Sequence, residues 1–440
     1  MSATRLLTSA LPGTLLVVYL LWTVWMYFYG PIAWPTPDPY ILAVFLLFAI
    51  LTVTAGFALA LNVTPREGLQ LPVKWILLGG AALSVGILFP ASYAYTGRPP
   101  WAVLSALQDQ RAAYEAMLAQ VNQGTGSRTL IALVRALAFM VIVAVVPLGV
   151  VHGRRLGWVL RLAVIACALS SVVFSILRGT DKEIADLAIF AGGGLLVLLG
   201  RGLSRDAARV RKLLTSRQGM AIIFVLLVGA VAALGLFSAR KAARLGGVDE
   251  VCISDMRICA DPENWMISSL PLPAKFTISM LTGYVAQGYF GVSLALTLPT
   301  NPMWGVGNSS LATRAYEAVT GDTGLYQNSF TYQLRTLGWS DQTQWSSIYA
   351  WFANDFGFPL SAVLVGLIAF AAGAAWRDAV FGRNDAAVVA FCILFQMLVY
   401  APANNQVLQT LDSSLALGAW LVLWLAPRLW QGQIVRPAAG

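Results

Sequence analysis

Ser175–Phe190 reads SILRGTDKEIADLAIF. Arg178, Asp181, Lys182, Glu183 and Asp186 stand between two apolar runs, Leu156–Leu177 and Ile184–Leu199. A helix crosses a bilayer with about 20 apolar residues, and a charge at the bilayer centre costs about 2.5–3.5 kcal/mol even on lenient scales. The stretch therefore reads as a turn at a membrane surface between two spans. Glu183 and Asp186, at i and i+3, share one face of the following helix. Asp186 lies inside the apolar run, so it is expected to face a polar cavity and not lipid. The remaining charges read equally well as solvated loop residues.

Working outward, the whole chain has the same character. It has 440 residues, 58% hydrophobic and 11% charged, with a mean hydropathy of +0.71. Soluble domains carry roughly 25% charged residues, so the composition is that of a membrane protein. The formal net charge of +9 suits anionic lipid or an anionic substrate. Nucleic acid is set aside because the cations lie in short loops between apolar spans. The first apolar run ends in YGPIAWPTPDPY without a small-x-small cleavage site, so it is expected to remain as an uncleaved span.

Ten spans are expected: Thr14–Tyr29, Tyr40–Leu61, Val73–Tyr93, Leu130–Val150, Leu156–Leu177, Ile184–Leu199, Met220–Phe237, Pro359–Trp376, Ala386–Ala401 and Leu415–Leu429. Lys and Arg concentrate on the cytoplasmic side of a membrane protein. The loop Arg201–Arg217 (RGLSRDAARVRKLLTSR) is the strongest such marker. Arg66, Lys74, Arg154, Arg155, Arg161, Arg377, Arg383, Arg428 and Arg436 fall on the same side. Both termini are then cytoplasmic, and these basic loops read as topology signals. Phe276–Leu298 is apolar enough to span, but crossing would put Arg428 and Arg436 outside. It reads instead as interfacial or re-entrant.

The fold class expected is thus an all-α polytopic membrane protein with about ten transmembrane helices and a large periplasmic region. Its parts are a seven-helix bundle (1–237), the periplasmic region with the re-entrant or interfacial helix 276–298 (238–357), and three C-terminal helices with a cytoplasmic tail (358–440). RAAYEAMLAQ, within Gly97–Arg128, reads as an amphipathic surface helix.

Cys167 and Cys392 fall within spans as small core residues. Cys252 and Cys259, in VCISDMRICA, are disulfide candidates if that side is oxidising. Zinc is disfavoured there because no His or further Cys is near. GVGNSS at Gly305–Ser310 lacks the Gly-Lys-Ser/Thr of a phosphate loop. The one His, His152, cannot complete a Ser-His-Asp set on the outer face. What remains is an outer collection of Arg178, Lys182, Arg240, Lys241, Arg244, Arg257, Lys275, Arg314 and Arg335, which would suit a pyrophosphate. Trp345, Tyr349, Trp351 and Asp355, in QTQWSSIYAWFANDFGFPL, are residue types that hold sugars. Trp and Tyr also gather at bilayer interfaces for no catalytic reason.

Three segments carry a family resemblance: LRGTDKEI (Leu177–Ile184), GYVAQGYFGVSLAL (Gly283–Leu296) with MWGVGNS (Met303–Ser309), and SSIYAWFANDFGFPLSAVLVG (Ser346–Gly366). With the span count and the outer loop, they resemble the bacterial O-antigen polymerase (Wzy-like) group of oligosaccharide repeat-unit polymerases. The resemblance implies a multi-pass protein of the bacterial inner membrane that joins undecaprenyl-pyrophosphate-linked oligosaccharides at the periplasmic face. It implies no cofactor and no metal, and it allows a chain-length regulator as a partner. From sidedness and charge type, Arg178, Lys182, Arg314 and Arg335 are expected to bind the pyrophosphate, with Tyr349 and Trp345 on the sugar. Asp355 is the first candidate for the base, Asp181 the second and Asp341 the third. The related O-antigen ligases, thought to rely on an outward histidine, are the nearest alternative, with other lipid-linked glycan transferases. A peptidoglycan polymerase of the shape-and-division type shares the span count but none of its motifs is clear. A lipid-linked sugar transporter would predict repeated halves, and no repeat is evident.

Overall fold

The computed structural model describes residues 3–123, 126–245, 247, 251–253, 256–322, 324–340 and 343–434. Its helices, in chain order, are α1 (Ala3–Tyr29), α2 (Pro39–Ala60), α3 (Val73–Thr96), α4 (Val103–Gln108), α5 (Gln110–Gln123), α6 (Gly126–His152), α7 (Trp158–Leu177), α8 (Lys182–Arg205), α9 (Ala207–Thr215) and α10 (Arg217–Leu245). They continue as α11 (Leu272–Ala295), α12 (Ser310–Thr320), α13 (Phe330–Gln333), α14 (Ser347–Phe356), α15 (Phe358–Val380), α16 (Asp385–Val399) and α17 (Leu411–Ile434). A ribbon of β1 (Cys252–Ile253) and β2 (Ile258–Cys259) is the sole named sheet among the described residues. A disulfide joins Cys252 to Cys259 across it.

Among the described residues, seven helices are long and apolar enough to cross a membrane: Thr4–Tyr29, Pro39–Ala60, Val73–Thr96, Arg128–Arg155, Trp158–Leu177, Lys182–Arg205 and Phe358–Val380. Of the other three expected spans, Met220–Phe237 falls inside the 29-residue α10 and Leu415–Leu429 inside the 24-residue α17. The third, Ala386–Ala401, corresponds to α16, which has only 15 residues and stops at Val399. Arg436 lies outside the described residues.

Small residues set the closest crossings, as expected where helices cannot rely on water to drive them together. A Cβ at Gly56 of α2 would come within 2.1 Å of the Gly366 carbonyl of α15. Thr52 Oγ1 donates to the Ala362 carbonyl at 2.7 Å beside it.

Successive helices place the chain's charges at two ends. One end collects Arg66, Arg201, Arg377 and Arg428 around the last turns of α2, α8, α15 and α17. There Asp378 accepts from Arg428 (2.6 and 2.9 Å), from Trp424 Nε1 (2.7 Å) and from the Arg66 amide (2.8 Å). His152, at the end of α6, meets Asp385 at 3.0 Å in the same region. Exposed Trp75 and Trp158 stand at this basic end, whereas exposed Trp101, Trp265 and Trp304 stand at the opposite one. That distribution matches the two aromatic belts of a membrane protein.

Between α10 and α15 the chain leaves and returns at the end opposite the basic one. α11 packs against the later half of α1, with Tyr289 and Thr23 hydroxyls 2.9 Å apart. The chain is back beside the start of α15 by Met303, whose amide donates to the Asn354 carbonyl at 2.8 Å. The stretch 400–410 between α16 and α17 is non-helical and largely buried. Its carbonyls at Ala403 and Ala401 accept from the Ser347 and Ile348 amides at 2.9 and 3.1 Å. Irregular backbone of this kind is tolerated at membrane depth only inside protein.

Candidate functional site

The turn that opened the sequence reading is built by α7 ending on a left-handed glycine. Gly179 has φ 62°, and its amide donates to the Ile176 carbonyl at 3.0 Å while Thr180 donates to Ser175 at 3.1 Å. A Cβ at Gly179 would also meet the Tyr114 amide nitrogen at 2.8 Å and the Gln110 carbonyl at 2.9 Å. Glycine is thus required twice, by backbone conformation and by the α5 backbone laid over it.

The charges of this turn are partly buried and paired with one another or with α10, where the loop-charge reading had them free in solvent. Asp181 accepts from Arg240 at 2.9 Å and from Lys241 at 2.6 Å, both on α10. Arg240 also donates to Gln110 Oε1 (3.1 and 2.8 Å) and to the Thr180 carbonyl (3.0 Å). Lys241 is buried, its ammonium 4.9 Å from the centre of the Tyr284 ring. Tyr284 in turn packs edge-on to Trp345 at 5.2 Å.

A second set lies deeper, between α6, α7, α8 and the start of α17. Arg178 pairs with Glu183, which also accepts from Thr180 Oγ1 at 3.2 Å. Lys182 Nζ lies 2.9 Å from Asp186 Oδ2, and the Tyr400 hydroxyl donates to Asp186 Oδ1 at 2.9 Å. Arg135 Nη2 lies 3.2 Å from Asp412 Oδ2. Its guanidinium stacks 4.5 Å from the centre of the Phe174 ring. Three cations therefore face three carboxylates. Pairing is what makes such burial tolerable, since an isolated charge there carries a desolvation penalty of several kcal/mol. A cavity of about 50 Å³, lined by Arg135, Lys182, Glu183, Asp186, Asp412 and Ser413 among others, lies at the centre of the set. It has room for water but not for a sugar.

Of the residues expected to act, the structure brings together Arg178 and Lys182, while Asp181 belongs to the neighbouring set with Arg240 and Lys241. Arg314 is exposed on α12. Arg335 is exposed beyond α13 and stacks 4.5 Å from the Tyr332 ring centre. Tyr349 is not available to a sugar. It is buried in the core with its ring edge-on to Phe45 at 5.5 Å, and burial pushes its phenol well above the ordinary tyrosine range. Asp355 is also buried, and its carboxylate is engaged by the chain's own donors. Oδ1 accepts from the Gly305 and Gly307 amides at 2.9 and 2.7 Å, and Oδ2 accepts from Asn308 at 2.7 Å. Asp341 lies outside the described residues. Among the described residues, no group of three or more His, Cys, Asp or Glu has the arrangement to hold a metal ion.

Sequence reasoning missed Arg135, Tyr400 and Asp412. Arg135 had a signal, because it is a lone charge inside the expected span Leu130–Val150. Tyr400 had none; its reach to Asp186 depends on where α16 stops.

No protein-family model matches the chain, and no curated protein or solved structure is significantly similar to it.

Proposed function

We propose that the chain is an integral-membrane glycosyltransferase that polymerises undecaprenyl-pyrophosphate-linked oligosaccharide repeat units. In this reading the basic end is cytoplasmic, the membrane is the bacterial inner membrane, and the Arg178–Lys182 turn faces the periplasm. The observation that carries it is the recessed set of Arg135, Arg178 and Lys182, held between helices at the end away from the basic loops.

Phosphate oxygens replace Glu183 and Asp186 as partners of Arg178 and Lys182, and charge growing on the leaving pyrophosphate is stabilised there. The released Asp186 carboxylate, still held by the Tyr400 hydroxyl, takes the proton from the attacking sugar hydroxyl. The acceptor oxygen bonds to the anomeric carbon as the bond from that carbon to pyrophosphate breaks, and the electron pair leaves with the lipid pyrophosphate. Entry of the sugar requires the cover of α5 and the end of α10, pinned by Arg240 on Gln110 and Thr180, to part. The base thus moves from Asp355 to Asp186. Arg314 and Arg335 remain as exposed cations able to meet lipid-linked anions on approach.

A second reading, proton-coupled movement of a lipid-linked sugar, draws on one observation: charge-balanced carboxylates inside a helical bundle also suit a proton relay. The two separate on a gel of surface glycans. Deleting the gene and restoring it with Lys182→Gln should both leave a single repeat unit on the lipid core, with normal protein levels for the variant. Loss of every unit would favour movement or ligation instead. A full ladder in the Lys182→Gln strain would remove this cluster from the reaction.

A further inference from the structure

We propose that the basic end holds a specific site for the phosphate head group of an anionic phospholipid, formed by Arg5, Arg205 and Arg383. These residues come from the start of α1, the end of α8 and the turn between α15 and α16. They line a recess of about 300 Å³ together with Thr4, Ser204 and Phe381. That volume lies at the lower edge of the ~300–1,000 Å³ typical of small-molecule sites.

Sign is the first argument. All charged side chains lining the recess are arginines, whereas several arginines nearby are engaged by the protein itself. Arg428 takes Asp378, Arg201 takes the Ala379 carbonyl and Asp385, and Arg377 takes the Val63 carbonyl and Ser9. Among the described residues, Arg205 and Arg383 have no hydrogen-bond or ion-pair partner. A guanidinium fork matches phosphate oxygens in geometry as well as charge.

Preorganisation is the second. The Arg5 guanidinium lies 5.0 Å from the centre of the Phe381 ring, which sits in the wall of the recess. Arg383 adopts φ 51°, a left-handed conformation that ordinarily favours glycine. A Cβ at the preceding Gly382 would come within 2.1 Å of the Arg66 carbonyl, so the turn is pressed against the chain after α2. A non-glycine residue held in that region, and pointing charge into a recess, is a reason to look for a ligand.

Position chooses the lipid over the soluble anion. Leu6 and Leu7, next to Arg5, are exposed apolar residues at the start of a span, where an acyl chain would lie beside its head group. Basic pockets between helices at a cytoplasmic membrane surface commonly take such head groups. Across the Phe381–Arg383 turn a larger cleft of about 690 Å³ adds Lys74 and Arg155, but Glu67 and Asp385 line it too. Mixed sign leaves the arginine side as the anion site.

The test uses the full-length protein in detergent, with lipid adducts counted by native mass spectrometry. Phosphatidylglycerol, phosphatidylcholine and inorganic phosphate are the probes. Wild type should retain phosphatidylglycerol in preference to phosphatidylcholine. Arg205→Gln with Arg383→Gln should weaken that retention about thirtyfold, given the usual contribution of two surface arginines. Arg154→Gln, a basic change at the same end but outside the recess, should leave it unchanged. Equal loss in both variants would reduce the effect to general surface charge and overturn the site. Inorganic phosphate displacing the lipid, or stabilising wild type as well as the lipid does, would overturn the lipid as its occupant. All variants should melt at the wild-type temperature, because the three arginines are exposed.

Discussion

Asp355 is the sequence's first candidate for a base, yet both its carboxylate oxygens are engaged by the chain's own amides. An aspartate that ties Gly305, Gly307 and Asn308 together is expected to respond to substitution as scaffold. Asp355→Asn places an amide NH₂ against that of Asn308 and should cost about 1–3 kcal/mol. Adding Asn308→Asp restores a donor facing an acceptor but gives up the Nδ2 bond to the Gly305 carbonyl, so it should recover part of the loss in thermal unfolding. A swapped pair that is stable but inactive would return Asp355 to the role of base. The sequence offered Asp355 because carboxylate type and neighbourhood are legible in one dimension. The amides that claim it are not, since they come from a loop some fifty positions earlier. Arg135 is the reverse case, a lone charge in an apolar run that a scan of the spans detects. Arg135→Met alone strands Asp412 and should cost about 3–5 kcal/mol. The double change with Asp412→Leu should return stability close to wild type, measured by unfolding in detergent, while the ladder remains lost if the pair serves the reaction.

At the scale of elements, the stretch 400–410 decides where Tyr400 points. It is pressed against α11 so closely that a Cβ at Gly288 would come within 2.3 Å of the Pro402 and Ala403 carbonyls. Those are backbone atoms and cannot step aside as a side chain can. Ser347, held at φ 62°, donates its amide to Ala403 and its hydroxyl to Ala401 at 2.8 Å. Gly288→Ala is therefore expected to destabilise by about 1–3 kcal/mol, as overpacking does. Gly86→Ala meets nothing within 4 Å and should be neutral or stabilising by up to about 1 kcal/mol. Thermal unfolding of both variants in detergent checks the contrast, and equal melting points would mean the loop yields freely. The long apolar helices were legible because twenty apolar residues have few other uses. The end of α16 was legible to within two residues, but the burial of the chain beyond it was not, because Tyr400-Ala401-Pro402 reads as an ordinary end of a span. Only the packing of α14 and α11 against it reveals that the backbone turns aside before the surface.

Across the whole molecule, two charge populations are separated by the length of the helices. His152 and Arg135 mark that separation on one helix: 17 positions at 1.5 Å each is about 25 Å. The basic end could be assigned from loop charge alone, whereas the opposite cluster required the fold, because its members come from α6, α7, α8 and α17.

That scatter along the chain has a bearing on how the protein is made. Arg135 enters the membrane well before Asp412 and Tyr400, which follow it by more than 260 positions. At synthesis rates of ~5–20 residues per second, Glu183 follows Arg135 within seconds, but the direct partner of Arg135, Asp412, comes only tens of seconds later. During that interval the nascent bundle holds a cation that the lipid disfavours, and an insertion partner must shelter it or the helix must shift toward the surface. α17 thus acts as an electrical latch on assembly: until it arrives, Asp412 is missing from the cluster and Arg135 lacks its direct ion-pair partner.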